Sequence, residues 1–170
     1  MERKNVITFK GNPLTLVGPE LKIGDTAPDF TVTDNGLKPV KLSEFKGKTI
    51  VISVVPSLDT PVCEIQTKKF NEAASALNAK ILTISLDLPF AQKRFCEYLK
   101  IQNLTVLSDY KDRDFATKYG LLIKELGLLS RAVLVVAPSG KITHFELVKE
   151  VTQEPNYQAA IEKVKTAVSV

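Results

Sequence analysis

Thr49-Ile-Val-Ile-Ser-Val-Val55 is closed by Pro56, followed by Thr60-Pro-Val-Cys63 and a helical pattern to Leu77, then by Lys80-Ile-Leu-Thr-Ile-Ser-Leu86. The first run is β-branched and nearly continuous in apolar character, which predicts a central strand covered on both faces. Pro56 has no amide hydrogen for a ladder and ends it. Between the two strand-like runs, Val62, Ile65, Phe70, Ala73, Ala74 and Leu77 recur at helical spacing, leaving Lys68, Lys69, Asn71 and Glu72 for water. Strand, helix and strand in this order predict an α/β core.

The rest of the chain extends that core in both directions. Downstream, Pro89 opens a helix to about Lys100, Leu104 to Leu107 reads as a strand, and Asp112 to Tyr119 as a short helix closed by Gly120. Arg131 to Val136 and Ile142 to Val148 are strands joined at Pro138-Ser-Gly140, and Pro155 opens a C-terminal helix to about Val168. Upstream, Val6-Ile-Thr-Phe9 and Leu14-Thr-Leu-Val17 flank Gly11-Asn-Pro13 as a hairpin. A turn-rich stretch, Gly24 to Phe30, leads to short strands near Thr31 to Thr33 and Val40 to Leu42, with Ser43 capping a helical turn. The expectation is an α/β fold with a mixed central sheet flanked by helices. Residues 1–170 form one domain in this reading, and residues 1–18 an N-terminal β-hairpin extension.

At 170 residues, 44% hydrophobic and 25% charged, the composition suits a soluble globule that buries a core without disulfide staples. The net charge of +4 comes from 23 basic and 19 acidic residues interleaved along the chain, so no clustered basic face points to nucleic acid. The longest apolar runs, Ile50 to Val55 and Val133 to Ala137, are strand-sized, and no membrane span is expected. Arg3 and Lys4 are not followed by an apolar run of signal-peptide length, so the chain is expected in the cytoplasm.

The sequence has no glycine-rich phosphate loop, no dinucleotide fingerprint and no spacing of metal ligands, and its single histidine, His144, reads as a partly exposed strand residue. The two cysteines remain. A free cysteine is ordinarily a small apolar side chain, but the surroundings of Cys63 differ. Thr60 is a favoured N-cap and Pro61 a favoured first helical residue, which puts Cys63 in the first turn. There the free amides and the positive end of the helix dipole favour a thiolate, and the Thr60 hydroxyl is placed to donate a hydrogen bond to it. Cys96 falls mid-helix among Phe90, Phe95, Tyr98 and Leu99, a setting that raises a thiol pKa and reads as structural. The cysteines stand 33 positions apart, which is not a Cys-x-x-Cys motif and disfavours a thioredoxin-like exchange enzyme.

Pro56-Ser-Leu-Asp-Thr60-Pro-Val-Cys63 resembles the active-site pattern of the peroxiredoxins: proline, three residues, threonine, two residues, cysteine. Asp87-Leu-Pro-Phe-Ala-Gln-Lys-Arg-Phe-Cys96 resembles the second-cysteine segment of the bacterial thiol peroxidases, a subfamily of atypical two-cysteine peroxiredoxins. Ser130-Arg-Ala-Val133 resembles their arginine-bearing strand, and similarity continues in the hairpin, in Leu107-Ser-Asp109 and in Glu154-Pro-Asn-Tyr157. The resemblance implies a thioredoxin-like fold, with Cys63 as the peroxidatic cysteine attacking hydrogen peroxide or an organic hydroperoxide. It implies Cys96 as the resolving cysteine in a Cys63–Cys96 disulfide, and a thioredoxin-type reductant to reopen it. No cofactor is implied. Arg131 and Thr60 carry over as donors to the departing oxygen, and Pro56 as the residue shielding the sulfur. Ionisation alone does not make a peroxidase, because lowering a thiol pKa from ~8.5 to ~6 raises the thiolate fraction only about thirtyfold at neutral pH.

Two other classes stay open at this point: a general disulfide reductase, and a non-catalytic protein on the same fold that tolerates Cys63→Ser. A homodimer is also expected. The resemblance implies one, and Leu121-Leu-Ile-Lys-Glu-Leu-Gly-Leu-Leu129 carries six large aliphatics, too many for a connection that merely crosses the surface.

Overall fold

The computed structural model describes residues 1–167. A seven-stranded mixed sheet forms the centre. In chain order its strands are β3 (Thr31–Thr33), β4 (Pro39–Lys41), β5 (Ile50–Val54), β6 (Lys80–Ser85), β7 (Thr105–Ser108), β10 (Ala132–Val136) and β11 (Ile142–Leu147). They lie in the spatial order β11-β10-β5-β6-β7-β3-β4. β5, β6 and β7 run parallel, with Ser53 beside Thr83 and Thr83 beside Val106; the outer pairings are antiparallel. The helices are α1 (Pro61–Ala74), α2 (Pro89–Leu99), α3 (Asp114–Lys118) and α4 (Tyr157–Ala167). The expected C-terminal helix end, Val168, lies outside the described residues.

Every residue of β5 is buried, as a two-face strand requires. Ile50, Ile52 and Val54 face the larger core, where Phe30 meets Phe115 and Tyr119 of the α3 region edge-to-face at 5.0 and 5.6 Å. Val51 faces the other way, into a core closed by Phe70 of α1 and by Ala160 and Val164 of α4.

A second sheet of four strands has the order β1 (Glu2–Phe9), β2 (Asn12–Val17), β8 (Leu122–Ile123), β9 (Leu128–Leu129). The N-terminal hairpin is therefore built as expected, but it does more than decorate an end. Its Ile7, Leu14 and Leu16 bury Ile123 and Val151. The aliphatics of Leu121 to Leu129 are thus covered within the chain: Leu121, Ile123 and Leu129 are buried, and of the six only Leu126 is well exposed. They call for no second subunit.

Local chemistry corrects three further expectations. The helical turn at Leu42–Phe45 is capped by Lys41, whose amide donates to Glu44, while the Ser43 amide donates to Asp29. α4 is opened by Asn156, whose Oδ1 accepts from the Ala159 amide, one residue after the proline. On α1 the buried positions are Cys63, Gln66, Thr67 and Phe70, whereas Ile65 is exposed. The spacing is helical, but the face is turned by about one residue because hydrogen bonds pull polar side chains inward.

Gly120, at φ 63°, ends the α3 segment where the hairpin crosses it, and its carbonyl accepts from Arg3 Nη2. A Cβ there would overlap the Pro19 carbonyl oxygen. Gly120→Ala is therefore expected to cost roughly 3 kcal/mol, a fall in Tm of about 6–12 °C by calorimetry; an unchanged Tm would show that the crossing yields freely.

Candidate active site: a buried thiol and its arginine

The parallel strands β5, β6 and β7 bring their C-terminal ends to one edge, where an open α/β sheet leaves a crevice. The Pro56–Thr60 loop leaves β5 at this edge and is pinned there by Asp87, two residues past the β6 end. Asp87 accepts from Ser57 Oγ at 2.7 Å and the Leu58 amide at 2.8 Å through its two oxygens, and from Ser85 Oγ at 2.7 Å. Pro56 is buried in this loop.

Thr60 then caps α1 from an extended conformation, its Oγ1 accepting from the Cys63 amide at 3.3 Å, with Pro61 in the first turn. The expected hydrogen bond from this hydroxyl to the sulfur is not formed. The Thr60 hydroxyl donates instead to the Ser57 carbonyl at 3.3 Å, because an N-cap oxygen aimed at the amide turns its hydrogen back toward the loop.

The donor to the sulfur is Arg131, one residue before β10. The side chain is 2% exposed and Cys63 is fully buried. Nη2 donates to Cys63 Sγ at 3.3 Å, Nη1 to Gln66 Oε1 at 2.9 Å and Nε to the Val151 carbonyl at 2.8 Å. Gln66 in turn donates to Ser53 Oγ of β5 at 2.8 Å, and Thr67 Oγ1 to the Cys63 carbonyl at 2.9 Å. Among the described residues no carboxylate forms an ion pair with Arg131. A guanidinium out of water without an anion is costly. The sulfur is one of the three hydrogen-bond acceptors of Arg131, and the Glu154 carboxylate is near enough to interact with the guanidinium.

Beside this core, Glu154 bridges Lys69 at 3.1 Å and the Tyr157 hydroxyl at 2.9 Å, and Tyr157 packs edge-on against Phe70 at 5.4 Å. The Tyr157 hydroxyl and the Lys69 ammonium hold the Glu154 carboxyl below the usual range.

Cys96 lies on α2, and both cysteines are free. It packs against the cluster of Val55, Leu58, Cys63 and Val106 that also receives Phe95 and Leu104. Burial pushes its thiol up, with a hydrogen bond to Asn35 acting against this. Two of its expected neighbours point elsewhere, since Phe90 is 64% and Tyr98 85% exposed. The structure thus places Pro56, Thr60, Cys63 and Arg131 in one site and brings Cys96 to its margin. Gln66, Ser53, Val151, Asp87 and Asn35 complete the surroundings and were not legible as site residues. A cleft of about 430 Å³ opens between the loop and α2, lined by Leu58, Asp87, Ala91, Phe95 and Tyr98. A larger one of about 790 Å³ lies away from both cysteines, against Tyr119 and His144. Among the described residues no three metal-ligating side chains gather.

These features define a class: an α/β protein built around one buried, free thiol held between a helix N-terminus and an arginine. The model of the Redoxin family matches residues 22–161. The "Thiol peroxidase" of Halalkalibacterium halodurans is 52% identical over 162 residues, covering 95% of this chain and 98% of that protein. That of Bacillus subtilis is 50% identical over 163 residues, with the same coverage. Among solved structures, a peroxiredoxin-like protein from Aquifex aeolicus superposes with a TM-score of 0.91 at 49% identity, covering 96% of this chain and 97% of that one. A thiol peroxidase from Chromobacterium violaceum, 21% identical, shares the fold with a TM-score of 0.86 over 96% of each chain. The chain belongs to the Redoxin family, in its thiol peroxidase branch, and its fold is thioredoxin-like.

Gln66→Leu leaves Arg131 Nη1 and Ser53 Oγ without their partner in the interior, so it is expected to lower stability by roughly 2–4 kcal/mol in denaturant unfolding; a change under about 0.5 kcal/mol would make the Ser53-Gln66-Arg131 relay dispensable to the fold.

Proposed function

We propose that this chain is a thiol-dependent peroxidase that reduces hydrogen peroxide and organic hydroperoxides, with Cys63 as the peroxidatic and Cys96 as the resolving cysteine. The observation that carries the reading is the 3.3 Å hydrogen bond from a buried guanidinium, which forms no ion pair among the described residues, to the Cys63 sulfur. The Cys63 thiolate attacks the terminal peroxide oxygen. An S–O bond forms, the O–O bond breaks, and the departing oxygen leaves as water or alcohol after taking a proton. Arg131 then has two tasks. It balances the sulfur before attack and faces the charge that develops on the leaving oxygen, where a preorganised donor in a dry site is most effective. Thr60 holds the cap through which the first turn is aimed, and Pro56 keeps water from the sulfur.

In the second step the Cys96 sulfur displaces hydroxide from the Cys63 sulfenic acid, forming the Cys63–Cys96 disulfide and releasing water. A thioredoxin-type dithiol reduces it and is itself oxidised to a disulfide. No cofactor enters either step. Cys96 sits inside α2, so closure calls for that helix to loosen, and its construction favours this. Only Pro89 and Gln92 of α2 are buried, both before Cys96, and Gln92 anchors that end by donating to Ser85 Oγ and the Leu107 carbonyl, each at 2.9 Å. The other end is capped by Lys100 in a left-handed conformation, φ 55°, with the Lys100 and Ile101 amides donating to the Cys96 carbonyl, but no side chain of α2 beyond Gln92 is buried. By burial, the half bearing Cys96 is thus the weaker half.

Residues 1–170 act in this reading as one domain, in the cytoplasm and as a homodimer. With Leu121 to Leu129 covered internally, a dimer interface would instead find exposed apolar side chains at Leu88, Phe90 and Tyr98, around the Cys96 helix. No helix among the described residues is long and apolar enough to cross a membrane.

Cys63→Ser is expected to abolish peroxide consumption, whereas Cys96→Ser consumes one equivalent per chain and yields a dimedone adduct at Cys63 by mass spectrometry. An adduct on Cys96 in the wild type would reverse the two roles.

A further inference from the structure

We propose that Glu150 is a positioning residue for peroxide reduction, clamping the N-terminal hairpin onto the Lys149–Val151 segment that holds Arg131 against Cys63. This rests on the roles of Cys63 and Arg131 proposed above, and extends the site to an element the sequence presents as an appendage.

The connection can be followed atom by atom. Arg131 Nε donates to the Val151 carbonyl, and the Arg131 carbonyl accepts from the Val148 amide at 3.0 Å, so both ends of the residue are fixed to the stretch after β11. That stretch is in turn fixed to the hairpin. The Thr8 amide donates to the Lys149 carbonyl at 2.7 Å and the Val151 amide to the Thr8 carbonyl at 2.9 Å, a parallel bridge outside either sheet. The Val151 side chain is buried with Ile7, Leu14 and Leu16 of the hairpin. Glu150 closes the arrangement. Its Oε1 accepts from the Gly11 amide at 2.9 Å and Thr8 Oγ1 at 3.1 Å, and its Oε2 from the Thr152 amide at 2.9 Å and hydroxyl at 2.7 Å. One carboxylate therefore grips the hairpin turn with one oxygen and the Arg131-bearing segment with the other. Those hydrogen bonds, from Thr152 first and Gly11 next, hold its carboxyl down to about 2, so the clamp stays ionised across the working range of a thiol enzyme.

The consequence is geometric. Arg131 has three anchors, and the Val151 carbonyl is the one supplied by neither α1 nor β5. Releasing that segment lets the guanidinium drift, and small misplacements of a catalytic donor are expensive in rate. Peroxide reduction needs the guanidinium in place for the leaving oxygen. Alkylation of the same sulfur by iodoacetamide draws on the same thiolate but has no leaving oxygen to stabilise. The ratio of the two rate constants therefore reports Arg131 at the leaving oxygen, because its effect on the thiolate, like general loosening, enters both.

In the full-length chain, Glu150→Ala is expected to slow reaction with hydrogen peroxide about tenfold while alkylation at Cys63, followed by mass spectrometry, stays within about twofold. Glu150→Gln keeps an oxygen for Gly11 and Thr8 and should return the peroxide rate to within about threefold of wild type. An unchanged ratio in Glu150→Ala overturns the proposal, whatever happens to Tm. If Glu150→Ala does not fold, Thr8→Val decides: removing one grip must lower the ratio about two- to threefold, and a wild-type ratio overturns the clamp. Arg131→Gln in parallel separates the two levels. If it too leaves the ratio unchanged, the role of Arg131 fails; if it lowers the ratio and Glu150→Ala does not, only the clamp fails.

Discussion

A guanidinium withdrawn from water is the constraint around which this molecule is arranged. Arg131 is buried with no carboxylate in an ion pair with it among the described residues, and all three of its nitrogens donate to named acceptors: a backbone carbonyl, an amide oxygen and a sulfur. Desolvating such a cation costs several kcal/mol unless negative charge is supplied. That requirement ties the fold to the chemistry, because the thiol at the start of α1 is one of the three acceptors, while the Glu154 carboxylate lies near enough to feel the same cation. In the function proposed above, the hydrogen bond that serves the buried arginine is also the one that serves the attacking sulfur.

Each neighbour serves the placement of that pair. Ser53 breaks the apolar run of β5 and receives Gln66, which would otherwise be an unsatisfied amide in the core. Asp87 fixes the loop before α1 to the strand beside it, so the cap residue Thr60 arrives at a set angle. The hairpin reaches around the sheet to hold Val151, and through it the Arg131 Nε. On the far side α2 is anchored at its beginning by Gln92 and buries no side chain beyond it, and Cys96 lies in that less buried half.

What could be read from the sequence was what depends on near neighbours in the chain. Thr60, Pro61 and Cys63 state a helix start within four residues, and the structure forms it with the expected amide bond. β5, β6 and the N-terminal hairpin were equally legible, because apolar runs and turn residues are local signals. Long-range polar contacts were not. Nothing near Gln66 indicates that it will be buried and Ile65 exposed; the cause is Arg131, 65 residues away, and Ser53. The Thr60 hydroxyl was aimed at the sulfur by proximity, but the Ser57 carbonyl claims its hydrogen. The aliphatics of Leu121 to Leu129 did signal a covered surface, yet composition cannot say whether the cover is a partner or the chain itself: the hairpin covers Ile123, and the main core takes Leu121 and Leu129.

The most direct measurement is the second-order rate of Arg131→Lys with hydrogen peroxide, taken together with its Tm. Lysine keeps the charge but loses the planar fork that reaches sulfur, Gln66 and Val151 at once. The expected result is a folded protein, with Tm lowered by no more than about 10 °C, whose rate falls at least about a hundredfold. A variant that reacts within a few-fold of wild type, or one that unfolds while its remaining folded fraction keeps full specific activity, would make Arg131 a structural cation and contradict the account.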